Sequence, residues 1–118
     1  EDDPDRVELM SKINTYHVSL FAEFIDKMRS TPDGDGSLLD HSLLLYGAGM
    51  SNSNAHAPID LPVMLVGGAG GGLKGDRHLT YSQDTPMANL LMALMDKLNV
   101  PVDQVGNSTG KLDALSLT

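Results

Sequence analysis

Residues 42–47 read Ser-Leu-Leu-Leu-Tyr-Gly, and residues 61–67 read Leu-Pro-Val-Met-Leu-Val-Gly. Each stretch is mostly apolar and ends at a glycine, where a strand can give way to a loop. Strands that are apolar on both faces are typical of a buried, parallel sheet. Pro62 has no amide proton, so we expect it at the start of its strand or on a sheet edge. The two runs therefore predict strands of an α/β sheet.

A long helix is predicted upstream of these strands, from residue 4 to about residue 29. Asp3 suits the N-cap and Pro4 the first helical position. Apolar residues recur in steps of three and four, which places them on one helix face. They are Val7, Met10, Ile13, Leu20, Phe21, Phe24, Ile25 and Met28. At 1.5 Å per residue the helix is roughly 39 Å long, which suits a helix that crosses a sheet or packs on another surface.

A second helix is predicted downstream, with Thr85 as its N-cap and with Asn99 and Pro101 ending it. Residues 78–81 are expected to form a short extra strand. We therefore predict the α/β class, with a small, mostly parallel sheet and two main helices. The whole chain, 1–118, is expected to be a single domain.

Composition narrows the range of partners. The chain has 118 residues, of which 16 are acidic and 8 basic, for a net charge of −8. This charge argues against a nucleic acid or an anionic membrane as partner. No apolar run approaches the ~20 residues that a membrane span needs. The chain has no Cys, which excludes thiolate metal sites and cysteine nucleophiles.

Two segments match known binding motifs only in part. Residues 70–75 fit G-x-G-x-x-G, but the Asp-Arg-His-Leu that follows is not a helix start, so a mobile loop is favoured over nucleotide binding. Residues 33–37 suggest a calcium loop. Its sixth and twelfth positions would be Leu38 and Leu44 instead of Gly and Glu, so a turn is favoured.

Ser51 follows the first predicted strand and is one candidate catalytic residue. Residues 49–53 are similar to the G-x-S-x-G nucleophile elbow but lack its last glycine. A catalytic triad would need an acid and a histidine as well. The chain offers Asp60, Asp76, Asp84, His56 and His78. A polar loop serine is the alternative interpretation.

His56 is the second candidate, because it lies in a polar loop directly after a predicted strand. In open α/β sheets, ligands bind outside the carboxyl ends of the strands. Histidine serves there as an acid or base or as a metal ligand. Asn52 and Asn54 would orient His56 or bind substrate, unless they only form turns.

Four segments resemble the uncharacterised bacterial proteins named for an HXXSHH motif. They are residues 38–51, 61–68, 73–78 and 84–90. The similarity runs over nearly the whole chain, from the first predicted helix to Gly110. In this resemblance His56 matches the family's loop histidine, and His78 matches its Gly-Arg-His-like segment.

The resemblance implies part of an alkaline-phosphatase-like or sulfatase-like fold and a periplasmic or secreted location. It also implies metal-assisted hydrolysis of phosphate or sulfate esters, with a divalent metal as the possible cofactor. His56 would be a metal ligand. The substrate would be bound by Arg77, His78, Asn52 and Asn54. The HXXSHH motif itself is absent, so we expect this chain to be the C-terminal portion of a longer protein. Asn52 stands where the family pattern has an acidic residue, which weakens a metal site.

Three functions are therefore open. The first is a hydrolase that acts on a small-molecule ester through the loop of His56. The second is a binding or assembly module that uses the first helix as a partner surface. The third is an esterase or lactonase that acts through Ser51. A chain that lacks an upstream half would expose strand edges and apolar faces, so we also expect a homo-oligomer as the alternative to a missing N-terminal half.

Overall fold

The computed structural model describes residues 3–112, which form two α-helices and two small sheets. In chain order the elements are α1 (Pro4–Ser30), β1 (Pro32–Asp33), β2 (Gly36–Ser37), β3 (Leu44–Gly47), β4 (Val63–Val66), a single 3₁₀ turn (Ala69–Gly71) and α2 (Met87–Lys97). Each sheet contains two antiparallel strands, β1 with β2 and β3 with β4.

The prediction of a mostly parallel sheet is wrong. β3 and β4 lie where strands were predicted, but they run antiparallel, with Leu44 opposite Val66 and Gly47 opposite Val63. Parallel neighbours need a crossover, usually a helix, whereas residues 48–62 contain no helix and lead the chain straight back. No parallel pair occurs within residues 3–112.

The strands are also less buried than a doubly covered sheet would be. Burial alternates along β3, where Leu45 is exposed, and Met64 is exposed in β4. A two-stranded antiparallel sheet is covered on one face and open on the other. Its apolar residues therefore divide between a packed side and a solvent side. Residues 78–81 are not a strand.

The first helix agrees with its prediction at both ends. The Asp3 side chain accepts a hydrogen bond from the Asp5 amide at 3.1 Å, and Pro4 occupies the first turn. At the other end Thr31 takes an extended conformation and stops the helix. The Asp-Gly pairs that follow make the tight β1–β2 hairpin, as Asp-Gly sequences favour.

The core surrounds α2. The buried side chains are Ala88, Asn89, Leu90, Met92, Ala93, Leu94 and Leu112. Four of them, Leu90, Ala93, Leu94 and Leu112, form one cluster. Five partly buried residues pack against that cluster: Leu43, Val63, Leu65, Leu73 and Met87. The α2 prediction is confirmed apart from its cap. Pro86 takes the N-cap position, and the Thr85 hydroxyl instead shares a 2.9 Å hydrogen bond with the Ser82 hydroxyl.

A buried amide ties the last described segment to α2. Asn89 donates from Nδ2 to the Thr109 hydroxyl at 3.1 Å, and its Oδ1 accepts from the Thr109 amide at 2.8 Å. This pair holds residues 109–112 in place, so that Leu112 enters the core. Lys111 forms an ion pair with Asp96 on the same side of α2.

α1 is highly solvated, because none of its 27 residues is buried. One firm attachment is the stacking of Phe21 on Tyr46 of β3, with ring centroids 4.5 Å apart. The radius of gyration is 16.4 Å, against about 13 Å for a compact chain of this length. The chain is therefore extended, at 50 × 37 × 21 Å. Within residues 3–112, neither helix is long and apolar enough to cross a membrane.

Candidate functional site

Residues 48–62, here called the β3–β4 loop, carry the predicted polar site. Two backbone hydrogen bonds close its tip, from the Ser51 amide to the Ala57 carbonyl at 3.0 Å and from the Ala57 amide to the Asn52 carbonyl at 3.1 Å. The Asn52 side-chain oxygen accepts from the amides of Asn54 and Ala55, both at 3.0 Å. Asn52 is therefore a turn former, the alternative raised for it by the sequence.

His56 stands at the end of this turn. Its φ of 52° lies in the left-handed region, which histidine tolerates better than most residues. Its side chain is exposed. The Ser51 hydroxyl lies 3.3 Å from the Ala57 carbonyl and donates to it instead of to His56. The loop therefore does not assemble a serine–histidine pair in this conformation.

The tip of the loop faces the first half of α1 across an open groove of about 730 Å³. The loop side supplies Ser51, Asn52, Ser53 and Asn54. The α1 side is mixed, with apolar Val7, Met10 and Val18 beside the polar side chains of Asp3, Arg6, Ser11, Asn14 and Thr15. The sequence did not indicate this wall, because nothing local to α1 tells which loop will lie against it.

The groove takes in only part of the predicted site. Ser51, Asn52 and Asn54 line it, whereas His56, Arg77 and His78 are not among its described lining residues. Arg77 is partly buried and donates from Nε to the Lys74 carbonyl at 3.0 Å, while His78 is exposed. The structure thus brings three of the six candidates together.

The described residues do not fit a divalent metal. From Asp3 to Leu112, no three His, Cys, Asp or Glu side chains lie close enough to share an ion. Asn52, which would replace an acidic ligand, uses its oxygen on two backbone amides.

A charged cluster that the sequence did not single out lies at the β1–β2 hairpin. His41 contacts Asp33 at 3.0 Å from Nδ1 and Asp35 at 3.3 Å from Nε2. The hydrogen bond with Asp33 raises the pKa of His41 above its ordinary value. Asp40 accepts from the hydroxyl and the amide of Ser37, both at 2.8 Å, and these bonds lower the pKa of that carboxyl. The Asp-Gly turn was the signal that could have located this hairpin.

A row of exposed apolar side chains runs along α1 and is here called the α1 stripe. It consists of Leu9, Ile13, Tyr16, Leu20 and Phe24. Spacings of four, three, four and four residues keep these side chains within about 80° of the helix circumference. Each is between 39% and 62% exposed. Phe21, Ile25 and Met28, which are partly buried, lie on the adjacent face.

Comparison with known proteins identified no relative. No protein-family model, no curated protein and no solved structure matches the chain. The resemblance to HXXSHH-motif proteins and the activity it implies therefore stay predictions.

Proposed function

We propose that this chain is a binding and assembly module whose α1 stripe packs on an apolar helix of a protein partner. The observation that carries this function is that α1 is a helix of 27 residues with none of them buried. Helices of globular proteins normally gain their stability by burying an apolar face. In α1 that face exists but is left open to water.

The apolar surface is large enough to contribute useful binding energy. Fully burying an apolar side chain contributes about 1.5–3 kcal/mol. The five stripe residues are about half exposed, so covering them adds about 5 kcal/mol, with a similar gain from the partner's face. Association costs about 4–15 kcal/mol. A single helix should therefore bind weakly, with a Kd no tighter than the order of 100 µM at the lowest of these costs.

A neutral probe peptide tests this function. The probe is a fluorescent, helix-forming peptide with five leucines at the spacing of the α1 stripe and glutamine at its flanking positions. Fluorescence anisotropy should show saturable binding to the chain. Replacing Ile13 and Leu20 with glutamine should weaken binding more than 10-fold, because both anchors become polar.

The matched control places two substitutions on the polar face of α1, Ser19→Gln and Asp26→Asn. Both positions are exposed and lie away from the stripe, so binding should be unchanged. Helical circular dichroism should be kept in both variants, because none of these residues belongs to the core around α2. Equal binding by the stripe variant and the control would contradict the proposed function.

A second candidate function is ester hydrolysis, favoured by the groove beside Ser51. The groove is open to solvent and is lined by Ser51, Asn52 and Asn54 together with α1. The test is turnover of chromogenic phosphate, sulfate and carboxylic esters by the purified chain, with and without a chelator. Turnover lost in His56→Ala or in Ser51→Ala, with folding intact, would support this activity. If the chain alone turns over none of the three ester classes, ester hydrolysis by the chain alone is excluded.

A further inference from the structure

The charges beside the α1 stripe identify the kind of partner that fits it. One edge of the stripe carries Asp5, Lys12 and Glu23, and Lys27 lies within the stripe on the same side. They lie within about 60° of one another on the helix circumference. Read from the N-terminus, their signs alternate: negative, positive, negative, positive. All four side chains are exposed, and Lys12 also contacts Glu8 within the helix at 2.6 Å.

This order of charges is complementary to itself when it is reversed. In an antiparallel helix pair related by a two-fold axis, the same edge of each helix faces its own copy. An axis at the centre of the stripe, between Tyr16 and His17, brings Lys12 to within two residues of the position opposite Glu23 of the second copy. It brings Asp5 to within one residue of the position opposite Lys27. These offsets are about 3 Å and 1.5 Å along the helix, which long side chains can span. Each contact occurs twice by symmetry. The two pairs therefore give four contacts, each between opposite charges.

The same axis aligns the apolar residues. Leu9 then meets Phe24 of the second copy, and Ile13 meets Leu20 of the second copy. The stripe spans about 22 Å of helix at 1.5 Å per residue, and spacings of three and four residues are those of antiparallel bundles. The apolar pairs set this register, and the attractive charge pairs lie within two residues of it.

We infer that α1 binds α1 of a second copy of this chain, antiparallel, with its two-fold axis beside Tyr16. This inference rests on the proposed function, and it names the partner of the same surface. The contact is short compared with interfaces of standard size. The dimer should therefore dissociate in the micromolar to millimolar range. Salt should weaken the ion pairs between the helices and also screen the repulsion between two chains of net charge −8.

Sedimentation equilibrium of the purified chain, over low micromolar to near-millimolar concentrations, tests the self-association. The average mass should rise from monomer to dimer. Lys12→Glu and Glu23→Lys should each raise the dissociation constant roughly 10-fold, since each turns two attractive contacts into repulsive ones. Combining both changes should restore the dimer, because the swapped pair is again complementary. Asp26→Lys, on the polar face, is the control and should leave the dimer intact.

Disulfide trapping tests the direction, and the absence of native cysteine makes it unambiguous. Leu9→Cys and Phe24→Cys chains, mixed and oxidised, should give the mixed disulfide in preference to either symmetric one. Preferential Leu9→Cys self-linkage would overturn the antiparallel arrangement. A chain that stays monomeric, or charge variants that do not rescue one another, would overturn the inference. If such a chain still binds the neutral peptide through its stripe, the proposed function stands; if it does not, both fail.

Discussion

Replacing Asn89 with alanine should lower the free energy of unfolding by about 2 kcal/mol. The side chain is 7% exposed and makes two hydrogen bonds to Thr109, one donated and one accepted. Each such bond contributes about 0.5–1.5 kcal/mol net. The two bonds together contribute about 1–3 kcal/mol. The loss should lie near the middle of this range, because Thr109 is exposed and its freed amide can bond to water.

Urea unfolding followed by circular dichroism measures the loss. With a slope of about 1–3 kcal/mol per molar urea, the midpoint should fall by about 1 M. Thr109→Val is the matched variant, because it keeps the amide contact and removes only the hydroxyl. It should also destabilise, by about 1–2 kcal/mol, since it leaves the buried Asn89 Nδ2 without its acceptor.

The double variant separates this pair from a general packing effect. Once Asn89 is alanine, the Thr109 hydroxyl has lost its role, so adding Thr109→Val should cost little more. The two single effects should then exceed the double effect by about 1 kcal/mol. Strict additivity, or an Asn89→Ala effect below about 0.5 kcal/mol, would refute the view that this pair holds the end of the described chain on α2.

Three further predictions concern packing and charge. Gly67→Ala should destabilise the chain by more than about 3 kcal/mol, because at its φ of 114° a Cβ would lie 2.3 Å from the Ser42 carbonyl oxygen. The control is Gly70→Ala, at a φ of 63° with open space around it. It should lower the free energy of unfolding by about 1 kcal/mol in the same urea assay. Phe21→Ala should lower stability by about 2 kcal/mol, because it loses both its ring stacking on Tyr46 and its partly buried apolar area. Phe24→Ala should change stability by less than about 0.5 kcal/mol. Equal urea midpoints for the two variants would contradict this difference. The hydrogen-bonded ion pair with Asp33 raises the pKa of His41, so its stabilising contribution is complete below the unfolded pKa of about 6.5 and is lost as pH rises through the folded pKa. The urea midpoint should therefore fall as pH rises above about 6.5, and His41→Gln should reduce that fall.

The sequence located elements well where local chemistry decides them. α1 was placed with both ends nearly correct, because its cap and its terminating turn act within a few residues. β3 and β4 were likewise placed on the right residues. Their direction was wrong, because an apolar run does not tell whether its neighbour returns antiparallel or crosses over. That choice depends on residues 48–62 as a whole.

The candidate site was anticipated in part for the same reason. Ser51, Asn52 and Asn54 are neighbours in sequence and stay together in the groove. His56 was grouped with them, but the hydrogen bonds that close the turn leave it outside the groove lining. The α1 wall was missed because the amphipathic pattern tells which face of a helix is apolar and not what lies against it.

The absence of buried residues in α1 has a thermodynamic consequence for any partner. Helical structure in α1 gains little from the core around α2, so its free energy of local opening should lie well below that of α2. Only the helical fraction of the population presents an aligned stripe, and the apparent affinity is reduced by that fraction. Warming, which melts isolated helices, should therefore weaken association well before the core unfolds. Substitutions on the polar face that raise helix propensity should strengthen binding without touching the partner.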